Sequence, residues 1–235
     1  MSILKTENLR RSFGGMVAVD DLSITVEEGS ITGLIGPNGA GKSTAFNLIT
    51  GMLEPDGGTI LFKGEDITGD EPYEVARRGV GRTFQHARIF EEMTVRENLA
   101  VVPYDGEDID AEIDRLLEFV ELGDEAESFA GDLSGGQQVL VGIARTLILR
   151  PELVLFDEPF AGVNPGLVDD IRDLLHRLRR DEGVTVFIID HEIDEIAELC
   201  EEVIVMAEGT QLTKGTPEDV MSDERVIGSY LGGGR

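Results

Sequence analysis

The stretch that decides the fold reads Gly36-Pro37-Asn38-Gly39-Ala40-Gly41-Lys42-Ser43-Thr44. Its glycines allow the backbone to turn N–H groups inward around phosphate oxygens, where larger side chains would collide. Lys42 adds a positive charge for the outer phosphates, and the Ser43 hydroxyl is a ligand suited to Mg²⁺. A helix that begins here directs the positive end of its dipole at the same anion. The whole stretch is therefore predicted to bind a nucleoside triphosphate.

Residues on both sides of this loop supply the structural context that the motif requires. Ser30-Ile31-Thr32-Gly33-Leu34-Ile35 is typical of a buried strand, and Ala45-Phe46-Asn47-Leu48-Ile49 is typical of a helix. A glycine-rich turn that arose by chance would not stand between a strand and a helix. The arrangement indicates an α/β fold, in which the loop joins a central strand to the helix that follows it.

A second anion-binding helix start is predicted at Leu133-Ser134-Gly135-Gly136-Gln137. Ser134 can cap the helix that follows, while Gly135 and Gly136 leave its first amides open to close approach. An ordinary serine-capped helix would share this sequence, and the segment has no lysine to hold a nucleotide on its own. Together with the phosphate-binding loop, however, the segment resembles the signature sequence of the ATP-binding cassette (ABC) ATPases. The resemblance extends over nearly the whole chain.

The resemblance implies a P-loop NTPase core with a mostly parallel sheet, an N-terminal antiparallel β layer and an inserted helical subdomain. Residues 1–85 and 151–235 are expected to form the ATP-binding core, and residues 86–150 the helical subdomain that carries the signature. The implied ligands are ATP and Mg²⁺. One chain carries a lysine-bearing site and a lysine-free site, so each can complete the other's ligand shell across a twofold interface. By resemblance, the signature residues Ser134, Gly135, Gly136 and Gln137 close over ATP bound to the partner.

An apolar run ends in two carboxylates at Leu153-Val154-Leu155-Phe156-Asp157-Glu158. A buried strand delivers such side chains at its carboxyl end, where ligands bind in open α/β sheets. Asp157 is predicted to hold Mg²⁺, and Glu158 to polarise the water that attacks the γ-phosphate. The alternative, two solvated acids at the end of a strand, is disfavoured by the phosphate-binding loop, and the resemblance assigns the same two roles.

Three further site residues rest on the resemblance. Gln85, in Arg82-Thr83-Phe84-Gln85, is implied to reach Mg²⁺ and the attacking water and to link the core to the helical subdomain. His191 is implied to contact the γ-phosphate, and Phe13 to stack on adenine. The alternatives are an exposed loop amide for Gln85, a polar residue at a helix start for His191 and a core side chain for Phe13.

Alternating strand and helix patterns extend the α/β prediction along the chain. Half-exposed strands are predicted for the N-terminal layer, and buried strands for the central sheet. Between residues 86 and 150 the strand patterns cease, and apolar residues at 113, 116, 117 and 120 fall on one helix face. The half-exposed strands are 3–9, 22–26 and 59–62, and the buried ones are 80–84, 153–156, 184–189 and 203–206.

The charge balance is extreme, with 47 acidic residues, 20 basic residues and a formal net charge of −27. Apolar periodicity persists along the chain, so disorder is not the explanation. Self-repulsion of this size destabilises a compact state unless salt screens it. The composition therefore predicts a protein adapted to the salt-rich cytoplasm of a halophile. It also argues against non-specific nucleic-acid binding, which needs a basic surface.

The chain has no apolar run long enough to span a membrane and no apolar segment of a secretory signal at its start. A cytoplasmic location is expected, with attachment to the inner face of the cell membrane through permease subunits. The lone cysteine, Cys200, lies in register with Ile193, Ile196 and Ala197, which predicts a packing role rather than a reactive thiol.

The motifs resemble most closely the ATPase subunits of branched-chain amino-acid importers. This reading rests on Phe13-Gly14-Gly15, Arg82–Gln85, Gly162-Val163-Asn164-Pro165 and the tail Gly215–Val220 followed by 229–232. ATPases for urea import and lipopolysaccharide export have similar motifs. A non-transport ABC ATPase, such as an iron–sulfur assembly or DNA-repair factor, and a regulatory module that binds ATP without hydrolysis are the other classes. The implied partners are an identical or paralogous ATPase and integral-membrane permeases.

Three segments leave questions open. Ile89, Phe90 and Met93 are either core residues, or some of them line a groove that receives a short permease helix. Asn164 stands where many ABC ATPases carry Asp, and it is also a good helix cap before Pro165. After the signature, Val139 and Leu140 replace a more polar continuation, with no consequence that the sequence specifies.

Overall fold

The fold is described from a computed structural model that covers residues 1–84, 88–104, 106–191 and 193–231. Gln85, to which a catalytic and metal-binding role was assigned above, lies outside these described residues. The chain forms two sheets with helices packed around the larger one, and this arrangement confirms the predicted fold class.

The central sheet has the strand order β11-β10-β4-β9-β8-β7. Its pairs from β10 to β7 are parallel, and the hairpin strand β11 adds an antiparallel edge. The sequence pattern did not reveal β11, because an edge strand with one covered face has few apolar residues. The strands span β4 Ile31–Ile35, β7 Val80–Arg82, β8 Leu153–Asp157, β9 Thr185–Ile189, β10 Glu202–Ala207 and β11 Thr210–Gly215.

The N-terminal layer is antiparallel, as predicted, with the order β2-β1-β5-β6 and β3 paired to β1. The prediction of one strand over 22–26 was wrong, since β2 ends at Leu22 and β3 begins at Thr25. The buried hydroxyl of Thr6 explains the break: it donates to the Leu22 carbonyl and accepts from the Ile24 N–H. The strands span β1 Ser2–Phe13, β2 Met16–Leu22, β3 Thr25–Glu27, β5 Gly57–Phe62 and β6 Glu65–Asp66.

Between β7 and β8, the described residues form helices and turns. Helix α4 buries Ile113, Leu116 and Leu117, followed by Val120, as the apolar spacing predicted. The acidic segment before it supplies the helix start, where the Asp108 carboxylate accepts from the Ala111 N–H. The helices are α1 Lys42–Ile49, α2 Pro72–Arg77, α3 Val95–Ala100, α4 Ile109–Phe119, α5 Gly135–Leu147, α6 Pro165–Glu182, α7 Ile193–Leu199, α8 Pro217–Ser222 and α9 Glu224–Leu231.

The central sheet separates two hydrophobic cores, and alternate side chains of β8 enter each of them. Val154 and Phe156 pack into the core that α5 and α6 share, whereas Leu153 and Leu155 pack into the core beneath α1 and the antiparallel layer. Cys200 lies in the first core, where burial raises the pKa of its thiol, so the predicted packing role is confirmed. No helix among the described residues is long and apolar enough to cross a membrane.

Candidate active site

The predicted chemistry converges at the carboxyl ends of neighbouring strands of the central sheet. The phosphate-binding loop follows β4, and His191 follows β9, which lies beside β4. Asp157 ends β8, the next strand, and Arg82 ends β7 at the edge. Because the ends of parallel strands meet along one edge, residues far apart in sequence become neighbours there.

Lys42 is buried at the centre of this edge. Its ammonium donates to the carbonyl oxygen of Gly36 at 2.6 Å and to that of Pro37 at 3.3 Å. Burial lowers the pKa of Lys42, while attraction from Glu158 and Asp157 raises it in part. Both carboxylates therefore lie within electrostatic reach of the ammonium, which stands beside the loop predicted to hold the phosphates.

The backbone conformation of the loop explains Gly41, and the hairpin that contacts the loop carries Phe13. Gly41 adopts φ 100° as the N-cap of α1, and a Cβ there would lie 2.3 Å from the Ala18 carbonyl oxygen on β2. This contact brings the β1–β2 hairpin against the loop. Phe13 ends β1 on that hairpin with 42% of its surface exposed, so the core alternative is wrong. Adenine stacking on Phe13 stays a prediction, supported by an accessible ring on the hairpin that contacts the loop.

Glu158 and His191 lie next to each other. The His191 Nδ1 is 3.6 Å from Glu158 Oε2 and 3.5 Å from the buried Asp190 carboxylate, which also accepts from the His191 N–H. The Glu158 N–H donates to the Ile189 carbonyl at the end of β9. Glu158 has φ 51°, a conformation that costs energy in a residue with a side chain and that clusters at functional sites.

The oxygen ligands predicted for Mg²⁺ fit its chemistry. Mg²⁺ takes hard oxygen donors from one or two protein groups and completes its shell with phosphate and water. Ser43 offers an exposed hydroxyl, and Asp157 offers a carboxylate that Arg82 contacts at 2.8 Å through one oxygen. Among the described residues, no cluster of three acidic, histidine or cysteine side chains forms a self-sufficient metal site. A site of this kind is complete only with the nucleotide.

The signature residues form the exposed start of α5. The Ser134 hydroxyl is the N-cap acceptor for the Gln137 N–H, and the Gln137 side chain accepts from the Ser134 N–H in return. Gly135 faces open space, whereas a Cβ on Gly136 would lie 1.8 Å from Leu167 Cδ2 on α6. A side chain is therefore disfavoured at the two positions for different physical reasons. Gly135 leaves room for a ligand, and Gly136 allows α5 and α6 to pack closely.

The structure also explains residues that the sequence left open. The Asn164 side chain caps α6 by accepting from the Gly166 N–H, as its place before proline predicted. Leu140 is buried in the core behind the signature. Arg82 was missed as a site residue because its contacts depend on strand order. Tyr230 on α9 was missed too: burial raises its pKa, and a hydrogen bond from the Gly36 backbone opposes that shift.

An apolar groove of about 280 Å³ opens between α2, β7 and α5. Phe90 is 48% exposed, so it is not a core residue, and Ile89 is partly buried against the core. Neither residue lines this groove, nor does Met93, so the groove is not one that some of these three residues line. Their contact with a permease helix stays a prediction. The lining includes Met52, Val75, Phe84, Val102, Val139 and Leu149, with Arg82, Arg88 and Arg145 as its charged members.

Comparisons with known proteins agree on the kind of protein. A family model described as ABC transporter matches residues 19–161. The branched-chain amino acid transport ATP-binding protein BraF of Pseudomonas aeruginosa is 38% identical, with 98% of each chain covered. The lipopolysaccharide export ATP-binding protein LptB of Haemophilus influenzae is 40% identical over 99% of this chain and 98% of its own. The ADP conformation of an ATP-binding cassette superposes with a TM-score of 0.92 at 38% identity, covering 99% of both chains.

Proposed function

Because this chain belongs to the ATP-hydrolysing ABC transporter family, we propose that it powers an importer of branched-chain amino acids. ATP hydrolysis is supported by one observation: Lys42 lies within electrostatic reach of the carboxylates of Asp157 and Glu158, and Glu158 lies beside His191. Lys42 neutralises phosphate charge, and the Glu158 carboxylate accepts a hydrogen bond from the attacking water. Asp157 and Ser43 would hold Mg²⁺, and the ion would supply stabilisation of the charge that develops on the transferred phosphoryl group. His191 senses the γ-phosphate, and Gln85 is assigned its role by resemblance alone.

The active unit in this proposal is a dimer. ATPases of this family work in pairs with membrane permeases. Ser134 and Gly135 are exposed at the start of α5, and they offer a helix N-terminus without a cation. Such a terminus attracts an anion that another subunit's lysine already holds. ATP bound at the loop of one subunit is then closed off by the signature of an identical or paralogous subunit.

The permease docks, in this proposal, into the apolar groove. The described lining residues include three arginines and neither Asp nor Glu, in a chain whose net charge is −27. A groove with apolar walls and local positive charge fits a short amphipathic helix that carries an acidic residue. The Val139 side chain lies in this lining, which gives the departure after the signature a physical role.

A charge placed in the groove is expected to uncouple the subunit from its permease. Met52 lines the groove and is 41% exposed, so Met52→Glu leaves the fold intact. We expect at least about a tenfold loss of permease affinity, since the new carboxylate would repel the acidic residue of the permease helix and compete with it for the arginines of the groove. Co-purification and the ATPase rate of the isolated subunit are the measurements. The matched control is Met221→Glu, at a methionine 45% exposed on α8. Equal loss of permease from both variants would contradict docking in the groove.

The transported substrate requires a direct test, because ATP-binding proteins of branched-chain amino acid transport and of lipopolysaccharide export are similar to this chain to nearly the same degree. The chain would be purified together with its native permeases and reconstituted in vesicles. On this proposal, leucine with its cognate binding protein raises the ATPase rate of the complex, and leucine accumulates inside the vesicle. Stimulation by lipopolysaccharide instead would assign the chain to export, the second candidate that the comparisons favour.

We further infer that the subunit works in a salt-rich cytoplasm, on the inner face of the membrane. The support is the −27 net charge, because an acidic surface of this size is stable when salt screens its repulsion. Within this setting, we assign residues 1–85 and 151–235 to the ATP-binding core and residues 86–150 to the helical subdomain that carries the signature. The groove proposed for the permease is lined by residues of both parts.

A further inference from the structure

Arg82 occupies a position that the reaction described above does not use. It ends β7 at the edge of the central sheet, and its side chain is only 9% exposed. One terminal nitrogen donates to Asp157 Oδ2 at 2.8 Å. The Asp157 side chain is 12% exposed, so the pair is largely removed from water. A pair in this setting is held firmly, since breaking it leaves a buried charge without compensation.

The other terminal nitrogen of Arg82 is fixed by α1, the helix that begins at the phosphate-binding loop. It donates to Asn47 Oδ1 at 2.7 Å and to the Thr50 hydroxyl at 3.0 Å. The Thr50 hydroxyl is itself oriented, because it donates to the Phe46 carbonyl at 2.7 Å. A planar guanidinium bound on both arms has little freedom to rotate. Arg82 therefore links the helix of the phosphate loop to the carboxylate at the end of β8.

The flat face of the guanidinium is supported as well. The Phe84 ring centroid lies 5.2 Å from the Arg82 guanidinium carbon and 4.3 Å from that of Arg88, which is exposed in the apolar groove. The Thr146 hydroxyl of α5 lies 3.3 Å from the Arg82 carbonyl. The residue is thus held from α1, from α5 and from the floor of the groove.

We propose that Arg82 is a positioning residue, which engages Oδ2 of Asp157 and thereby assigns Oδ1 to Mg²⁺. This inference rests on the proposed role of Asp157 as a metal ligand. The Lys42 ammonium already feels the Asp157 charge, so it would attract the Asp157 carboxylate in the absence of Arg82. The freed Asp157 carboxylate would then turn toward the Lys42 ammonium and away from the metal. Arg82 has two opposite effects on Mg²⁺ affinity. It orients the Asp157 carboxylate, which strengthens metal binding, and its positive charge repels the ion, which weakens metal binding. Loss of an oriented outer partner nevertheless costs metal sites about 10–100-fold in affinity.

The test measures binding of the nonhydrolysable analogue AMP-PNP by calorimetry, once with Mg²⁺ and once with EDTA. For Arg82→Met we expect the gain in affinity from Mg²⁺ to fall by about tenfold, with metal-free affinity unchanged. Arg82→Lys keeps the charge but cannot bond both arms, so its loss is smaller. Arg78→Met is the control, because Arg78 bridges Glu65 and Asp70 on the surface.

Three results would overturn the inference. A full Mg²⁺-dependent gain in Arg82→Met would show that Asp157 is oriented without Arg82. An equal loss with and without Mg²⁺ would show that Arg82 only supports the fold. The third result concerns the unaltered protein. If Mg²⁺ does not raise its affinity for AMP-PNP, the metal site itself is refuted, and this outcome is distinguishable from the other two. Should Arg82→Met fail to fold, Asn47→Ala loosens one arm while leaving the Asp157 pair intact, and a smaller Mg²⁺-specific loss is expected.

Discussion

Replacing Glu158 with Gln is expected to lower the ATPase rate by at least about 100-fold while ATP binding is retained. The amide keeps the shape of the side chain but cannot accept a proton from the attacking water. The backbone at Glu158 has φ 51°, a strain that glutamine inherits unchanged, so the variant tests chemistry rather than conformation. Phosphate release measures the rate, and calorimetry measures ATP affinity.

The same variant tests the dimer. If ATP joins the loop of one subunit to the signature of another, blocked hydrolysis traps the pair with Mg-ATP. Light scattering in high salt should then report a dimer with Mg-ATP and a monomer with Mg-ADP. A variant that binds Mg-ATP and remains monomeric would refute the shared site.

Glu152→Gln is the matched control for this change. Glu152 stands immediately before β8, at the opposite end of the strand that leads to Glu158, and it pairs with Lys63 on the surface. The same loss of charge there should leave the ATPase rate within about twofold, since surface ion pairs contribute little. If Glu158→Gln hydrolyses ATP as fast as this control, the general base must be another group.

Local sequence was enough to recognise the candidate site residues, but it was not enough to place every strand boundary. Lys42, Asp157 and Glu158 belong to motifs in which each side chain has a chemical reason, and local order suffices to recognise them. The division between β2 and β3 depends on the Thr6 hydroxyl, which bonds to residues more than fifteen positions away. No period of apolar residues encodes such a contact.

Arg82 shows the same limit within the site. Its residue type and its place at the end of a strand were visible, but its partner Asp157 lies 75 positions further along the chain. Recognition of the pair requires knowing that β7 is the neighbour of β8, which is a property of sheet order. The groove is a similar case: Val139 and Phe84 meet there only because α5 packs beside β7.

Thermal stability is expected to rise steeply with KCl. Pairing each basic residue with one acidic residue still leaves an excess of 27 negative charges. Arginines are shared in consequence, as where Arg172 lies 2.9 Å from Asp169 and 3.2 Å from Glu198. Salt weakens these attractions, but exposed pairs contribute only about 0–1 kcal/mol each. Screening of the repulsion should therefore outweigh the loss.

The size of the effect follows from the range of the repulsion. The Debye length falls from ~10 Å at about 0.1 M salt to ~3 Å at about 1 M, so most pairs of like charges cease to interact. We expect the melting temperature to rise on the order of 10 °C over this interval, which corresponds to a few kcal/mol for a chain of this size. Calorimetry measures the melting temperature at increasing KCl concentration. A matched series in sucrose, which does not screen charge, is the comparison.

A charge-reduced variant separates screening from other effects of salt. Glu54, Glu92 and Glu118 are exposed, and changing all three to Gln removes three negative charges without opening the core. This variant should melt at a higher temperature than the unaltered protein in dilute buffer, and its melting temperature should depend less on KCl. Screening removes the difference between the two proteins at high salt, because the deleted charges no longer repel their neighbours. A melting temperature that stays constant from dilute buffer to molar KCl would refute the inference of a salt-rich cytoplasm. Repulsion among the acidic side chains would then not destabilise the fold, and salt would have nothing to screen.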